Sequence, residues 1–508
     1  MMERREKRDR SNRDRRYRRT FFLPGALLLL LCLLVPGNVA ADDWPMFMKD
    51  RSHSSRGEAP RPPLKVKWEF ATDDSIFSSP VVYGGRLFVG SYDTHLYALD
   101  AGSGKLLWRF KTGGEILSTP AVYNDRVIFG SKDGVVYALD LKDGTVAWQY
   151  KTEGRVLTSP VVGDGKVFFA SNDLRIYALN GKSGKLIWRV NVKDYKYSGF
   201  YSSPAYQSGV KEVTEIITAG DGSGSLKGKH FTLNTLNEDY YVWYNSDSSG
   251  TDPSPVGRIG IEVAITGGAS ASSVATATAA VLNDHEEFSV SVSGRVLTVT
   301  NSAVGDVVDA EGGDTNFESF NVRRQGVDGI VFQGGKTTRF YAFNGENRAR
   351  EWAYVTLSAI YASPTLHNGV LYFTSNDRTV YGVDASTGRA VFIKPLGGWA
   401  YSSPVVYRGI LYIALKNGVL KGFNLKNGSE KVYFNFPDEV NSTMAVSGNG
   451  VAYIGCEDHK LYAIELGRGK ARKLWSYKTR GGVHSSPALT GDMVYVASKD
   501  GSIYAFGR

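Results

Sequence analysis

A Ser/Thr-Ser/Thr-Pro step recurs along this chain at a nearly fixed interval, and that interval limits what the chain can become. It stands at Ser78-Ser79-Pro80, Ser118-Thr119-Pro120, Thr158-Ser159-Pro160 and Ser202-Ser203-Pro204. After a gap it returns at Ser363-Pro364, Ser402-Ser403-Pro404, Ser442-Thr443-Met444 and Ser485-Ser486-Pro487. Four of the seven spacings are 40 residues. A period near 40 with β patterning means a propeller, one four-stranded sheet per repeat. The eight copies predict an all-β, eight-bladed β-propeller.

Each copy repeats the same local chemistry. VVYGGRLFVGS (81–91) and AVYNDRVIFGS (121–131) read as two short strands around a Gly, Asn or Asp turn. A second turn follows at Asp133-Gly134, Asn417-Gly418 and Asp500-Gly501, pairs suited to the type I′ hairpin. The third strand is typified by 136–140, and the fourth carries Trp108, Trp148, Trp188, Trp352 or Trp475. Phe392, and Val432 beside Tyr433, take that place in two copies. Trp68 precedes any complete repeat, while the chain stops after a third strand. Residues 64–70 are therefore expected to supply the missing outer strand, closing the ring and removing its open edges. The six tryptophans are expected to dock blade against blade.

Asp100 to Trp108, with Gly104 and Lys105, spells Asp-x-x-x-Gly-Lys-x-x-Trp and resembles the repeat of pyrroloquinoline-quinone (PQQ)-type propellers. The resemblance covers 64–209 and 329–508. It implies either of two roles. One is a PQQ- and Ca²⁺-dependent alcohol or sugar dehydrogenase. The other is a cofactor-free scaffold like the propeller lipoprotein of the outer-membrane barrel-assembly machinery. Such dehydrogenases usually carry vicinal cysteines, whereas only Cys456 lies beyond the leader, in a strand position held elsewhere by Ser91, Ser131 and Ser171. The repeats are also too compact to leave the long loops that build a pocket over a rigid ring. The expectation is a non-catalytic scaffold with no cofactor, engaging an envelope protein partner, an outer-membrane assembly protein being the one the resemblance implies.

Residues 1–20 hold ten basic and four acidic side chains, +6 of the chain's +9, so its basicity belongs to the leader and no nucleic-acid partner is expected. An apolar run at 21–35 and a small-residue site near Ala41 read as a signal peptide, with an uncleaved anchor as the alternative. The protein is then exported to the periplasm or envelope, touching membrane only if that segment is retained. Residues 42–63 form a lead-in with Trp44-Pro45.

The fourth copy is interrupted at 210–328, which lacks the repeat. An Ala/Ser/Thr/Val run at 269–282 has helical spacing, and 288–301 reads as a hairpin turning at Ser293-Gly294. This predicts an inserted small α+β module, loosely resembling one found in phage structural and bacterial surface proteins. Surface or carbohydrate adhesion through it is a further alternative. Asp221-Gly-Ser-Gly-Ser lacks the later acidic positions of a Ca²⁺ loop and reads as a junction.

The seven histidines show no metal-ligand spacing, so no metal or catalytic residue is assigned. The segments before each Ser/Thr-Ser/Thr-Pro step are expected to line the mouth of the central channel. Asp74, Glu115, Arg155, Lys196, Tyr197, Phe200, Trp399, Glu439 and Arg480 are the candidate partner-binding residues there. Arg and exposed aromatics are what protein interfaces favour.

Overall fold

The structure is a computed structural model. It describes residues 46–508 apart from 51–52, 193–198, 236–237, 303–309, 312, 316, 318, 325–327, 337 and 468. The leader, Trp44-Pro45, Lys196 and Tyr197 lie outside the described residues.

Blade I comprises Val81–Tyr83, Arg86–Gly90, His95–Asp100 and Leu106–Lys111, hydrogen-bonded in that order. Its two middle strands are buried on both faces because a neighbouring blade covers each side, hence unbroken apolar runs such as Leu96-Tyr97-Ala98-Leu99. The outer strand alternates, as expected when one face meets solvent. The same sheet recurs at 121–151 (II), 161–191 (III), 365–395 (V), 405–435 (VI) and 445–478 (VII). Blade IV joins Ala205–Gln207 to strands at 330–355, and blade VIII joins Lys65–Ala71 to three strands at 488–507. In blade VIII, Lys65 pairs with Gly507 and Ala71 with Ser502, so the N-terminal strand completes the C-terminal sheet.

A hydrogen-bond circuit joins the inner strands. The main-chain N–H of Ser79 donates to Thr119 Oγ1, Thr119 to Ser159, Ser159 to Ser203, and Ser203 to Ser363. Ser363 donates to Ser403, Ser403 to Thr443, Thr443 to Ser486, and Ser486 back to Ser79. This explains the repeated hydroxyl residue. Proline, which lacks an N–H, follows where no donor is needed.

Outer strands are joined by indoles. Trp68, Trp108, Trp148, Trp188 and Trp352 each donate Nε1–H to a carbonyl of the following blade, at Ala101, Leu141, Gly181, Gly345 and Ala385 respectively. Four of these rings lie flat on a left-handed glycine: Trp68 Cδ2 is 2.5 Å from where a Cβ of Gly104 would stand. Trp475 docks differently, edge-on to Phe506 at 5.4 Å.

Residues 46–50 and 53–59 lie against the inner strands beyond their prolines. His53 Nδ1–H donates to the Pro364 carbonyl at 2.7 Å, and Ser55 Oγ to that of Met444 at 2.8 Å. Arg56–Gly57 then pairs in parallel with Val446 and Ser447. The lead-in thus packs across the channel end opposite the loops that precede each inner strand.

Between Gln207 and Ile330 the chain forms two further sheets and a helix. Val213–Ile217, Phe288–Ser293, Val296–Asn301 and Ser319–Arg324 make one sheet, and His230–Asn234, Asp239–Ser246 and Ile259–Ile265 the other. Ser270 caps the helix Ala271–Asn283, accepting from the Ser273 N–H, and Val274, Ala275 and Leu282 bury its inner face. This core is separate from those of the blades. Asp221 is buried there, accepting from the Leu226 N–H and the Ser246 hydroxyl.

Candidate functional site at the channel mouth

In five of the eight blades an aspartate fixes the mouth loop. Asp93, Asp133, Asp173, Asp377 and Asp500 each accept a hydroxyl from the tyrosine four residues on. The same carboxylates accept the N–H of Asp73, Gly113, Glu153, Leu357 and Arg480 in the loop above. In these five blades two charge-assisted bonds therefore set where the loop's side chains project.

A second set of bonds gives the register. The N–H groups of Tyr92, Lys132, Asn172, Lys336, Asn376, Lys416, Glu457 and Lys499 donate to the carbonyls of Ser75, Glu115, Arg155, Gly199, Ala359, Trp399, Glu439 and Gly482. Glu115, Arg155, Trp399 and Glu439 thus share one position in four blades. Trp399 is 49% exposed, against 1% for Phe200. Phe200 does not line the mouth: it falls in the register of Ile76, Ile116 and Val156, which fill the seam between blades. Asp74 lies one residue before the shared position, its carboxylate accepting from the Ser75 N–H. Arg480 lies two before it and reaches outward to Glu69 on the outermost strand of blade VIII.

The residues just before the hydroxyl steps form the inner belt, which the sequence reading missed. Tyr201 contacts Tyr361 at 5.6 Å, Tyr361 contacts Tyr401 at 5.4 Å, and His484 contacts Phe77 at 5.4 Å. Equivalent residues of successive blades can touch in sequence only around a common axis. Lysines cap the belt: Lys336 over Tyr201 (4.7 Å), Lys416 over Tyr401 (5.3 Å) and Lys499 over Phe77 (5.6 Å). The signal available was position, an apolar or aromatic residue before six of the eight steps.

The mouth's carboxylates are answered by these lysines. Glu115 meets Lys132 at 3.2 Å, Glu439 meets Lys416 at 3.6 Å and Glu457 meets Lys499 at 2.9 Å. The main-chain N–H of Glu115, with Lys132 adding to it, holds that carboxyl below its ordinary value. Burial opposes ionisation of Glu457, but hydrogen bonds from Lys499 and Asn441 outweigh it. Burial pushes the His484 imidazole down, against the pull of Glu457. Trp399, Arg378, Lys416 and Glu439 border a shallow cavity of about 360 Å³.

A family described as outer membrane protein assembly factor BamB matches residues 65–205 and 290–508. The chain belongs to this family. A search of curated proteins found no match. Among solved structures, BamB from Moraxella catarrhalis aligns at TM-score 0.54 and 12% identity, covering 88% of this chain and 100% of that one. A europium-containing methanol dehydrogenase aligns at 0.56 and 13%, covering 92% and 98%. Quinohemoprotein alcohol dehydrogenase from Comamonas testosteroni aligns at 0.55 and 13%, covering 92% and 81%. These similarities establish the propeller fold. The BamB-family match resumes at 290, inside the interrupted copy, where the strands still pair with Val213–Ile217 and not with a blade.

Among the described residues no three His, Cys, Asp or Glu side chains gather as a metal-holding group, and Glu115, Glu439 and Glu457 are each matched to a lysine. Cys456 is buried in a strand, and burial pushes its thiol up to about 12. No helix among the described residues is long and apolar enough to cross a membrane.

Proposed function

We propose that this protein is a non-catalytic binding scaffold of the cell envelope, exported by its leader, that assists outer-membrane protein assembly through its channel mouth. The observation that carries this reading is the lysine-capped aromatic belt together with the half-exposed Trp399 at the same mouth. Large aromatics beside cations on a rigid frame supply anchoring energy at protein interfaces. Membership of the BamB family supports the assembly role.

The test is a binding titration of the chain from Asp42 with the soluble part of an outer-membrane assembly protein from the same source. Micromolar binding that weakens tenfold or more in Trp399→Ala and Tyr401→Ala is expected. No binding, or binding indifferent to both changes, overturns the reading. A parallel titration with PQQ and Ca²⁺, followed by absorbance and dye reduction, is expected to show neither binding nor turnover.

A further inference from the structure

Two successive seams lack an indole: between blades V and VI Phe392 takes its place and Lys394 crosses Gly428, and between blades VI and VII the outer strand's bulge is shifted as well. Counting from Asn424, Val432 falls where Trp148 falls after Asp140. In blade II the bulge of the outer strand lies between Val146 and Trp148, so that Trp148 pairs with Ala138 and faces the next blade. In blade VI it falls two residues later: Val432 pairs with Lys421, Phe434 with Leu420, and Tyr433 is the residue left over. Tyr433 turns inward and packs edge-on to Tyr412 at 5.0 Å, leaving Val432 half-exposed. No indole reaches blade VII. Gly469, in the register of Gly104 and likewise left-handed, is instead crossed by Lys431, whose Nζ is 2.7 Å from where a Cβ would be.

A cavity of about 550 Å³ opens at this seam, lined by Arg408, Lys431, Asn424, Asn427 and Ser429 above the edges of buried Tyr407, Tyr412 and Tyr433. Its size suits a small ligand. Among the described residues no carboxylate lines it. The corresponding groove between blades VIII and I is smaller, about 410 Å³, has Asp492 as well as Lys67 in its wall, and lies beside the docked Trp68. Some cations of the ring are paired, as Lys166 with Glu346 and Lys421 with Glu430. Arg408 and Lys431 have no such carboxylate among the described residues, and the guanidinium of Arg408 rests over the Tyr407 ring at 5.1 Å.

We propose that this seam binds an anionic sugar, a uronate or a sugar phosphate. The anion lies between Arg408 and Lys431, where charge-assisted bonds are strongest. The amides of Asn424 and Asn427 and the Ser429 hydroxyl meet the sugar hydroxyls. Neutral sugars leave the two cations unanswered, and a bare anion leaves the amides unused.

Calorimetric titration of the chain from Asp42 tests this with glucuronate and glucose 6-phosphate, and with glucose and inorganic phosphate as comparators. At least one acidic sugar is expected to bind at least tenfold more tightly than either comparator, and which one binds separates a carboxylate-bearing from a phosphate-bearing ligand. Arg408→Gln and Lys431→Met should each weaken binding about tenfold or more. Both side chains are exposed, and Met keeps an apolar stem across Gly469, so an unchanged melting temperature is expected. No binding of either acidic sugar, binding unaltered in both variants, or phosphate binding as tightly as glucose 6-phosphate overturns the proposal. Because the seam is distinct from the mouth, Trp399→Ala should leave this titration unchanged.

Discussion

The main-chain N–H of Ser486, in the last blade, donates to the hydroxyl of Ser79, in the first, at 2.9 Å across 407 residues of sequence. It is the closing member of a circuit whose other members join blades adjacent along the chain. Both residues are nearly buried, so water cannot replace the bond.

Ser79→Ala therefore leaves the Ser486 N–H without its acceptor and should cost about 1–3 kcal/mol. Ser79→Thr should cost far less, because Thr119 and Thr443 already fill the same role. Equilibrium urea unfolding measures both; equal losses would contradict the assignment.

Trp148 separates the two contributions of an indole clamp. Trp148→Phe keeps a ring on Gly184 but loses the Nε1–H bond to the Gly181 carbonyl at 3.0 Å, an expected loss of about 1 kcal/mol. Trp148→Ala also opens a cavity beneath a residue 7% exposed and should cost about 3–5 kcal/mol. The readout is the shift in urea midpoint for each.

The ring was legible because its hydroxyls, prolines and glycines serve backbone needs that recur in every copy. Residues 64–70 could be placed as the closing strand because a lone Trp68 preceded the repeats. The mouth was harder. Copy IV carries extra residues before Ser202, and only the bond from the Lys336 N–H to the Gly199 carbonyl aligns it. Phe200 is aromatic, as an interface residue would be, yet its register makes it core. Tyr201, one residue on, belongs to the belt at 43% exposure. The open seam was beyond sequence reasoning, since the composition of the outer strand does not say where its bulge falls.

His53 makes stability depend on pH. Burial lowers its pKa from 6.5 to about 4, against the raising effects of the Pro364 hydrogen bond and the Asp50 charge. Below pH 6.5 the unfolded chain takes up a proton that the native ring resists. Stability present at pH 7 is thus lost as the pH falls toward 4, by on the order of 3 kcal/mol from this group. His484, also lowered by burial, adds a slope of the same sign. The check is the difference between wild type and His53→Gln, whose unfolding free energy should fall less steeply from pH 7 to 4.5.

The inserted segment offers a test of where one folding unit ends. Gln207 pairs with Ile330 and Ala205 with Phe332, so the two ends of the segment leave from the same end of one hairpin. Its helix and two sheets bury their own core, with Phe231, Tyr244 and Val274 at the centre. Blade IV is held independently by Trp188 on Gly345 and by the Ser203–Ser363 bond. Replacing 210–328 by Gly-Gly should then leave a ring that melts cooperatively within a few degrees of the parent, because loop exchange at a hairpin end disturbs little buried surface. Circular dichroism and thermal unfolding supply the measurement. Loss of the cooperative transition would mean that the segment's core and the blade form a single folding unit.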